Sequence, residues 1–290
     1  MKYYDLMEGE YKKGKLTEEQ MWEAFKWLFS EKSLNDSSYK FIFLKSIIDC
    51  MEMKEPDGRI SFDALFDRFT NISWSLVLKY KINQKVKARG KKASLLEQDL
   101  IDFFESGGYE KYIPISEISK NNRERLVRKV KRDCKRYVVG ALYGDMKELL
   151  YSFSRKGEWI VLNHQMESFI EKHKELIESL NYYKWAVFYQ KINSEMTAKN
   201  CMELLAPGFE KRKSESIFRT ILAYEFEREI PETVNSFELL LCAEEVAEDM
   251  EVSKDNFEEE LFQDYSSMRD YLSNPVLLIE KLKKQKGIMV

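Results

Sequence analysis

Helix-start signals recur ahead of apolar stripes along most of this chain, and that pattern leaves little room for any fold not built from helices. Thr17-Glu18-Glu19-Gln20 is a capping box: the Thr hydroxyl can accept from the backbone three residues on, and the Gln can reach back to the Thr amide. It opens onto Trp22, Phe25, Trp27 and Leu28. Ser37 or Ser38 stands ready to cap a strongly apolar helix from Tyr39 to about Met53, and Pro56-Asp57-Gly58 is a turn. Ser61 precedes a helix through Leu65, Phe66 and Phe69, followed by the apolar run 72–78. Ser94 precedes another through Leu95, Leu96, Leu100, Ile101 and Phe104, which stops at Gly107-Gly108. Residues 121–139 read as a long helix, and 164–180 as a second, with Met166, Phe169, Ile170, Leu176, Ile177 and Leu180 at helical spacing. Residues 182–192 are apolar nearly all round, as in a central helix. Trp159 to Leu162 is the best strand candidate.

Turn-formers are scarce. The 290 residues contain 11 Gly and 5 Pro, where average usage gives about 35. A sandwich or barrel of short strands needs more turns than that. The fold class expected is mainly α, in bundle-like domains with at most a small amount of β. Breaks at Gly107-Gly108 and Ala206-Pro207-Gly208 suggest a helical domain over 1–108, a basic and aromatic one over 109–206, and an acidic segment over 207–290.

Several chemistries lack their residues. Cys50, Cys134, Cys201 and Cys242 stand 41 to 84 residues apart with no C-x-x-C pair to grip zinc, so they read as reduced, mostly buried small groups. The two histidines, His164 and His173, would face opposite sides of one helix and could not form a pair from it. His173 reads as a packed residue with a hydrogen-bond partner, His164 as a capping or turn residue. Ser-His-Asp, Cys-His and H-E-x-x-H sites are therefore unexpected, as are a metal and a cofactor, and the balance leans away from an enzyme. Tyr183, Trp185 and Tyr189 read as core rather than as a base-stacking surface. With no apolar run of 18 residues and a charged first 15, a cytoplasmic protein without membrane contact is expected.

Charge is more telling than composition. The net charge is only −3 but it is segregated. Residues 79–94 hold seven Lys or Arg and no acid, among them Lys85, Lys87 and Arg89. Residues 120–136 hold nine bases against Glu124 and Asp133. Residues 222–270 hold 16 acids against Arg228, Lys254 and Arg269. On a helix over 121–139, Leu126, Val127, Val130, Cys134, Tyr137 and Val138 would form the buried face. Arg125, Arg128, Arg132 and Arg136 would then stand on the opposite face, with Lys129 and Lys135 on its flanks. Such a face suits a polyanion, DNA or RNA, because guanidinium clamps phosphate oxygens in pairs. Internal neutralisation of the basic face by acidic segments is the competing expectation.

The order Ser38-Tyr39-Lys40-Phe41, Ile42-Phe43-Leu44, the 60–69 segment and Trp74 resembles the region ahead of the nuclease module in bacterial HNH endonuclease-domain proteins. Tyr137-Val138-Val139, Trp159-Ile160-Val161-Leu162-Asn163 and the aromatic helix ending near Lys191 continue that order, so the resemblance spans about residues 35–195. Two departures stand out. Trp74-Ser75-Leu76 replaces the Trp-Tyr-Pro of that family, and no histidine follows His173 to build the nuclease. The resemblance thus implies a DNA-engaging or scaffold part without the cutting part, in a phage-defence or mobile-element setting. The alternative expectation is an interaction subunit or inhibitor whose acidic 222–270 segment docks on a basic protein partner.

Overall fold

The computed structural model describes residues 3–30, 33, 36–86 and 93–206. The chain divides into two compact units, Met1–Leu205 and Ala206–Val290. The acidic segment expected over 207–290, with its 222–270 stretch and Cys242, lies outside the described residues, as do Lys87 and Arg89. The division at 205–206 falls beside the break expected at Ala206-Pro207-Gly208. Gly107-Gly108 is a turn inside the first unit, and the helices on its two sides pack on each other.

The described residues hold eight α-helices: α1 Glu18–Phe29, α2 Tyr39–Cys50, α3 Phe62–Trp74, α4 Leu95–Ser106, α5 Lys120–Asp145, α6 His164–Lys172, α7 Lys174–Ile192 and α8 Ala198–Leu205. The fold is mainly α. Its caps follow the sequence closely. Thr17 Oγ1 accepts from Gln20 N at 3.2 Å while Gln20 Oε1 accepts from Thr17 N at 2.9 Å. Ser94 and Glu97 form a second capping box at the start of α4, and Ser61 Oγ accepts from Ala64 N at the start of α3. Each such cap satisfies a helix donor that would otherwise have no intrahelical partner, worth about 1 kcal/mol. Ser38 precedes α2 without a side-chain cap; its hydroxyl donates instead to Gln84 Oε1 at 2.6 Å.

Helix α2 is the hub. Ten of its residues are buried on every side, because α3, α5 and α7 all pack on it. Phe43 meets Phe66 of α3 at 5.7 Å between ring centroids, and Phe41 stacks on Trp185 of α7 at 6.4 Å. Burying one such ring contributes about 1.5–3 kcal/mol. Charged pairs link the same helices at their edges: Lys45 of α2 reaches Glu178 of α7 at 2.9 Å, and Arg68 of α3 reaches Asp49 of α2 at 2.6 Å. Helix α7 carries Tyr183, Trp185 and Tyr189 fully buried, in agreement with their reading as core.

A four-stranded antiparallel sheet lies beside the helices, in the order β1-β3-β4-β2, with β1 Glu8–Gly9, β2 Arg59–Ser61, β3 Tyr151–Ser154 and β4 Trp159–Leu162. The β3–β4 hairpin pairs Tyr151 with Leu162 and Ser154 with Trp159. Only β4 was expected. β1 and β2 are two and three residues long, too short for a period of two to show, whereas β3 alternates Tyr151, Ser152, Phe153 and Ser154.

The structure refines the sequence reading at five places. Helix α2 ends at Cys50 and passes into a 3₁₀ turn, Met51–Met53. The 72–78 run finishes α3 at Trp74 and continues as a π turn, Ser75–Lys79. Helix α5 runs six residues past Val139, to Asp145. The helix expected over 164–180 breaks at His173, whose φ of −114° and ψ of 23° leave the helical region, and α7 continues unbroken to Ile192. There the His173 ring packs on Phe169 and Trp22, at 4.8 and 5.1 Å between centroids, with Nε2 at 2.8 Å from Glu18 Oε1. Contacts with α1 hold the break open. Finally, Tyr137 is 48% exposed rather than buried. Helix α4 packs on this flank of α5 and pairs Asp99 and Asp102 with Lys129, about two turns before Tyr137.

Candidate nucleic-acid interface

Helix α5 carries the densest basic sequence among the described residues, and its packing decides which cations remain available. Ser119 caps it, its hydroxyl accepting from Asn122 N. Leu126, Val127, Val130, Cys134 and Val138 are buried as expected. The opposite face presents Arg125, Arg128, Arg132 and Arg136, all exposed. Their spacing of three, four and four residues strings them along about 16 Å of helix at about 1.5 Å per residue.

Neighbouring elements neutralise the flanks of this ridge. Arg123 makes a two-pronged pair with Asp67 of α3. Lys131, nearly buried, sits between Asp63 of α3 and Glu158 of the β3–β4 turn, at 2.6 Å from each. Lys135 also pairs with Glu158. Burial works against the charge on Glu158, yet its two lysine partners outweigh it and hold its carboxyl below the ordinary value. Lys129 turns to Asp99 of α4 at 2.9 Å and to Asp102 at 3.6 Å. Burial likewise opposes the charge on Lys129, and its bond to Asp99 more than offsets that, so its pKa is raised.

The ridge itself is more lightly held. Arg132 pairs with its neighbour Asp133, Nε to Oδ1 at 2.7 Å, and Arg136 with Asp5 at 2.7 Å. The Arg132 bond holds the Asp133 carboxyl below its usual range. Arg128 donates to the Glu124 carbonyl within its own helix. Among the described residues, neither Arg125 nor Arg128 meets a carboxylate. The two lysines expected on the flanks are thus already paired, while the four arginines face solvent. Exposed pairs such as Arg132–Asp133 are weak because solvent screens them, and they can exchange for a phosphate.

The N-terminal segment closes one end of the ridge. Gly140 and Gly144 leave room for Tyr3 against α5: a Cβ at position 140 would lie 2.1 Å from the Tyr3 carbonyl oxygen, and one at 144 would lie 2.5 Å from its ring. The Tyr3 hydroxyl donates to Glu148 at 2.6 Å. This anchoring places Asp5 on Arg136. Arg155 braces the same segment by donating to the carbonyls of Tyr4 and Leu6. Sequence reading missed this element, whose signal is the small pair Gly140 and Gly144 one turn apart in an otherwise bulky helix.

Lys85 is exposed and held in place by the chain around it. Its strand-like bridge to Ser37 follows Gln84, whose Oε1 accepts from both Ser38 and Tyr189 hydroxyls at 2.6 Å. The cysteines Cys50, Cys134 and Cys201 are free and buried, and burial raises all three thiols, Cys50 to about 11 and Cys201 to about 12. Such thiols are poor nucleophiles. Among the described residues, no group of three or more His, Cys, Asp or Glu side chains is arranged to hold a metal ion, and no helix is long and apolar enough to cross a membrane. The chain matches no protein-family model, no curated protein and no solved structure.

Proposed function

We propose that this chain is a non-catalytic nucleic-acid-binding or scaffold protein whose contact surface is the arginine ridge of α5. One observation carries the reading: Arg125, Arg128, Arg132 and Arg136 share one exposed face, while Asp67, Asp99, Asp63 and Glu158 are taken up by Arg123, Lys129, Lys131 and Lys135, and, among the described residues, Arg132 and Arg136 pair only with Asp133 and Asp5. Four exposed cations therefore line one face of α5, and two of them, Arg125 and Arg128, have no described carboxylate to displace. Lys85 adds a further exposed cation elsewhere on the same unit. The resemblance of residues 35–195 to the region ahead of the nuclease in HNH proteins favours the same reading, with a phage-defence or mobile-element role in keeping with it.

Binding titrations with DNA and RNA across a range of salt concentrations test it. A ridge that neutralises about four phosphates gives a log–log salt slope near −3.6 for duplex DNA and about −2.8 for a single strand. Absence of salt-dependent binding to either polymer removes the proposal.

A further inference from the structure

Two exposed tyrosines each hold a cation against the ring, Tyr137 beside the arginine ridge and Tyr80 beside Lys79. Tyr137 lies at the far end of the ridge, with the Arg136 guanidinium 6.0 Å from its centroid. Tyr80, 37% exposed, lies beside the segment that leads into α5, with Lys79 Nζ 4.9 Å from its ring and 5.9 Å from that of Tyr112. Neither ring is a stray apolar side chain on a soft loop. Tyr137 stands on the longest described helix. Lys79, Tyr80 and Lys81 form an exposed corner between buried Leu78 and buried Ile82.

The corner is fixed on both sides and locally strained. Tyr80 N donates to Ser75 O at 3.0 Å, closing the π turn, and Ile82 N donates to Leu76 O at 3.0 Å. Lys81 adopts a φ of 57°, a left-handed conformation that a lysine disfavours. π turns and left-handed non-glycine residues concentrate at sites that must present particular side chains.

Resting on the ridge reading above, we propose that the ligand is single-stranded nucleic acid, with Tyr80 and Tyr137 as stacking platforms for bases and the adjacent Lys79, Lys81, Arg132 and Arg136 on its phosphates. An exposed aromatic face gains from a base only where that base is free to leave its own stack. Single strands offer such faces and a duplex does not, whereas an arginine ridge alone serves both.

The test uses the full chain with oligo-dT, oligo-rU and a duplex DNA, each about 16 nucleotides long. Wild type binds the single strands more tightly than the duplex at equal salt. Tyr80→Ala and Tyr137→Ala each weaken single-strand binding by about five-fold or more, from a stacking contribution of about 1–3 kcal/mol per base. They leave the salt slope and the duplex affinity unchanged, and Tyr137→Phe retains wild-type affinity because stacking needs the ring alone. Comparable oligo-dT and oligo-rU binding marks base stacking as the common term, and a preference for oligo-rU adds contacts to the 2′-hydroxyl. Equal single-strand and duplex affinities with both alanine variants unaffected would overturn the stacking inference and leave the ridge standing. Salt-independent binding, or no binding to any of the three, overturns both.

Discussion

Lys129 on α5 places its ammonium 2.9 Å from Oδ1 of Asp99, a carboxylate on α4 that is almost completely buried. The second oxygen, Oδ2, is buried with no donor, and Asp133 stands close enough to repel it. Burial is the main reason the Asp99 carboxyl titrates above its ordinary range; Asp133 adds to the shift, and Lys129 offsets part of it.

A pH signature follows. In the unfolded chain Asp99 titrates near about 3.9. Between that value and its raised folded value the native state holds more protons, so this group's contribution to stability falls as pH rises. Glu158, with its lowered pKa, behaves in the opposite way and loses stability as pH falls. Denaturant unfolding of wild type and Asp99→Asn between about pH 4 and about pH 7 isolates the term. The free-energy advantage of wild type over the variant shrinks across that range; an advantage that grows with pH would show that Lys129 dominates.

Under the ridge proposal, Asp5 competes with phosphate for Arg136, with which it pairs at 2.7 Å. Asp5→Ala frees the guanidinium and tightens nucleic-acid binding by up to about five-fold, the range of an exposed ion pair. Gly140→Ala acts at the same place by a different route, since the added methyl collides with the backbone of Tyr3. Both variants raise affinity at low salt in the same titration, and weaker binding by Asp5→Ala would contradict a competing role.

Phe66 is fully buried where α2 meets α3, within contact range of Phe43, Phe62 and Phe69. Phe66→Ala leaves a cavity in the hub and costs about 3–5 kcal/mol of unfolding free energy. A loss below about 1 kcal/mol in chemical denaturation would mean that the rings do not pack as described.

Much of this fold was legible in the sequence because its helices are signalled twice, by caps and by period. Thr17, Ser61 and Ser94 each mark a true helix start, and the buried face of α5 was readable except at Tyr137. What escaped reading depends on tertiary neighbours. The break at His173 lies against Trp22 and Glu18, far away in sequence, and the exposure of Tyr137 depends on which elements pack on α5. The same limit applies to the site. The arginine face follows from spacing alone, but the pairing of Lys129 with Asp99 and Lys135 with Glu158 depends on which helix and turn lie alongside.

The acidic stretch 222–270 bears a net charge of −13. Like charges repel within a Debye length of about 8 Å at physiological salt, so this stretch should not add to nucleic-acid contact. Deleting residues 236–290 leaves affinity unchanged or raises it. A loss of affinity in a truncated chain whose unfolding remains cooperative would assign that region a contact of its own.

The salt dependence of an Arg128→Ala, Arg132→Ala double variant tests the ridge most directly. Both side chains are exposed and neither supports the core, so the variant keeps the wild-type unfolding transition. Removing two phosphate contacts flattens the log–log salt slope by about 1.8 for duplex DNA, or about 1.4 for a single strand, and weakens binding at low salt. An unchanged slope with unchanged affinity in a folded double variant would remove α5 as the contact surface.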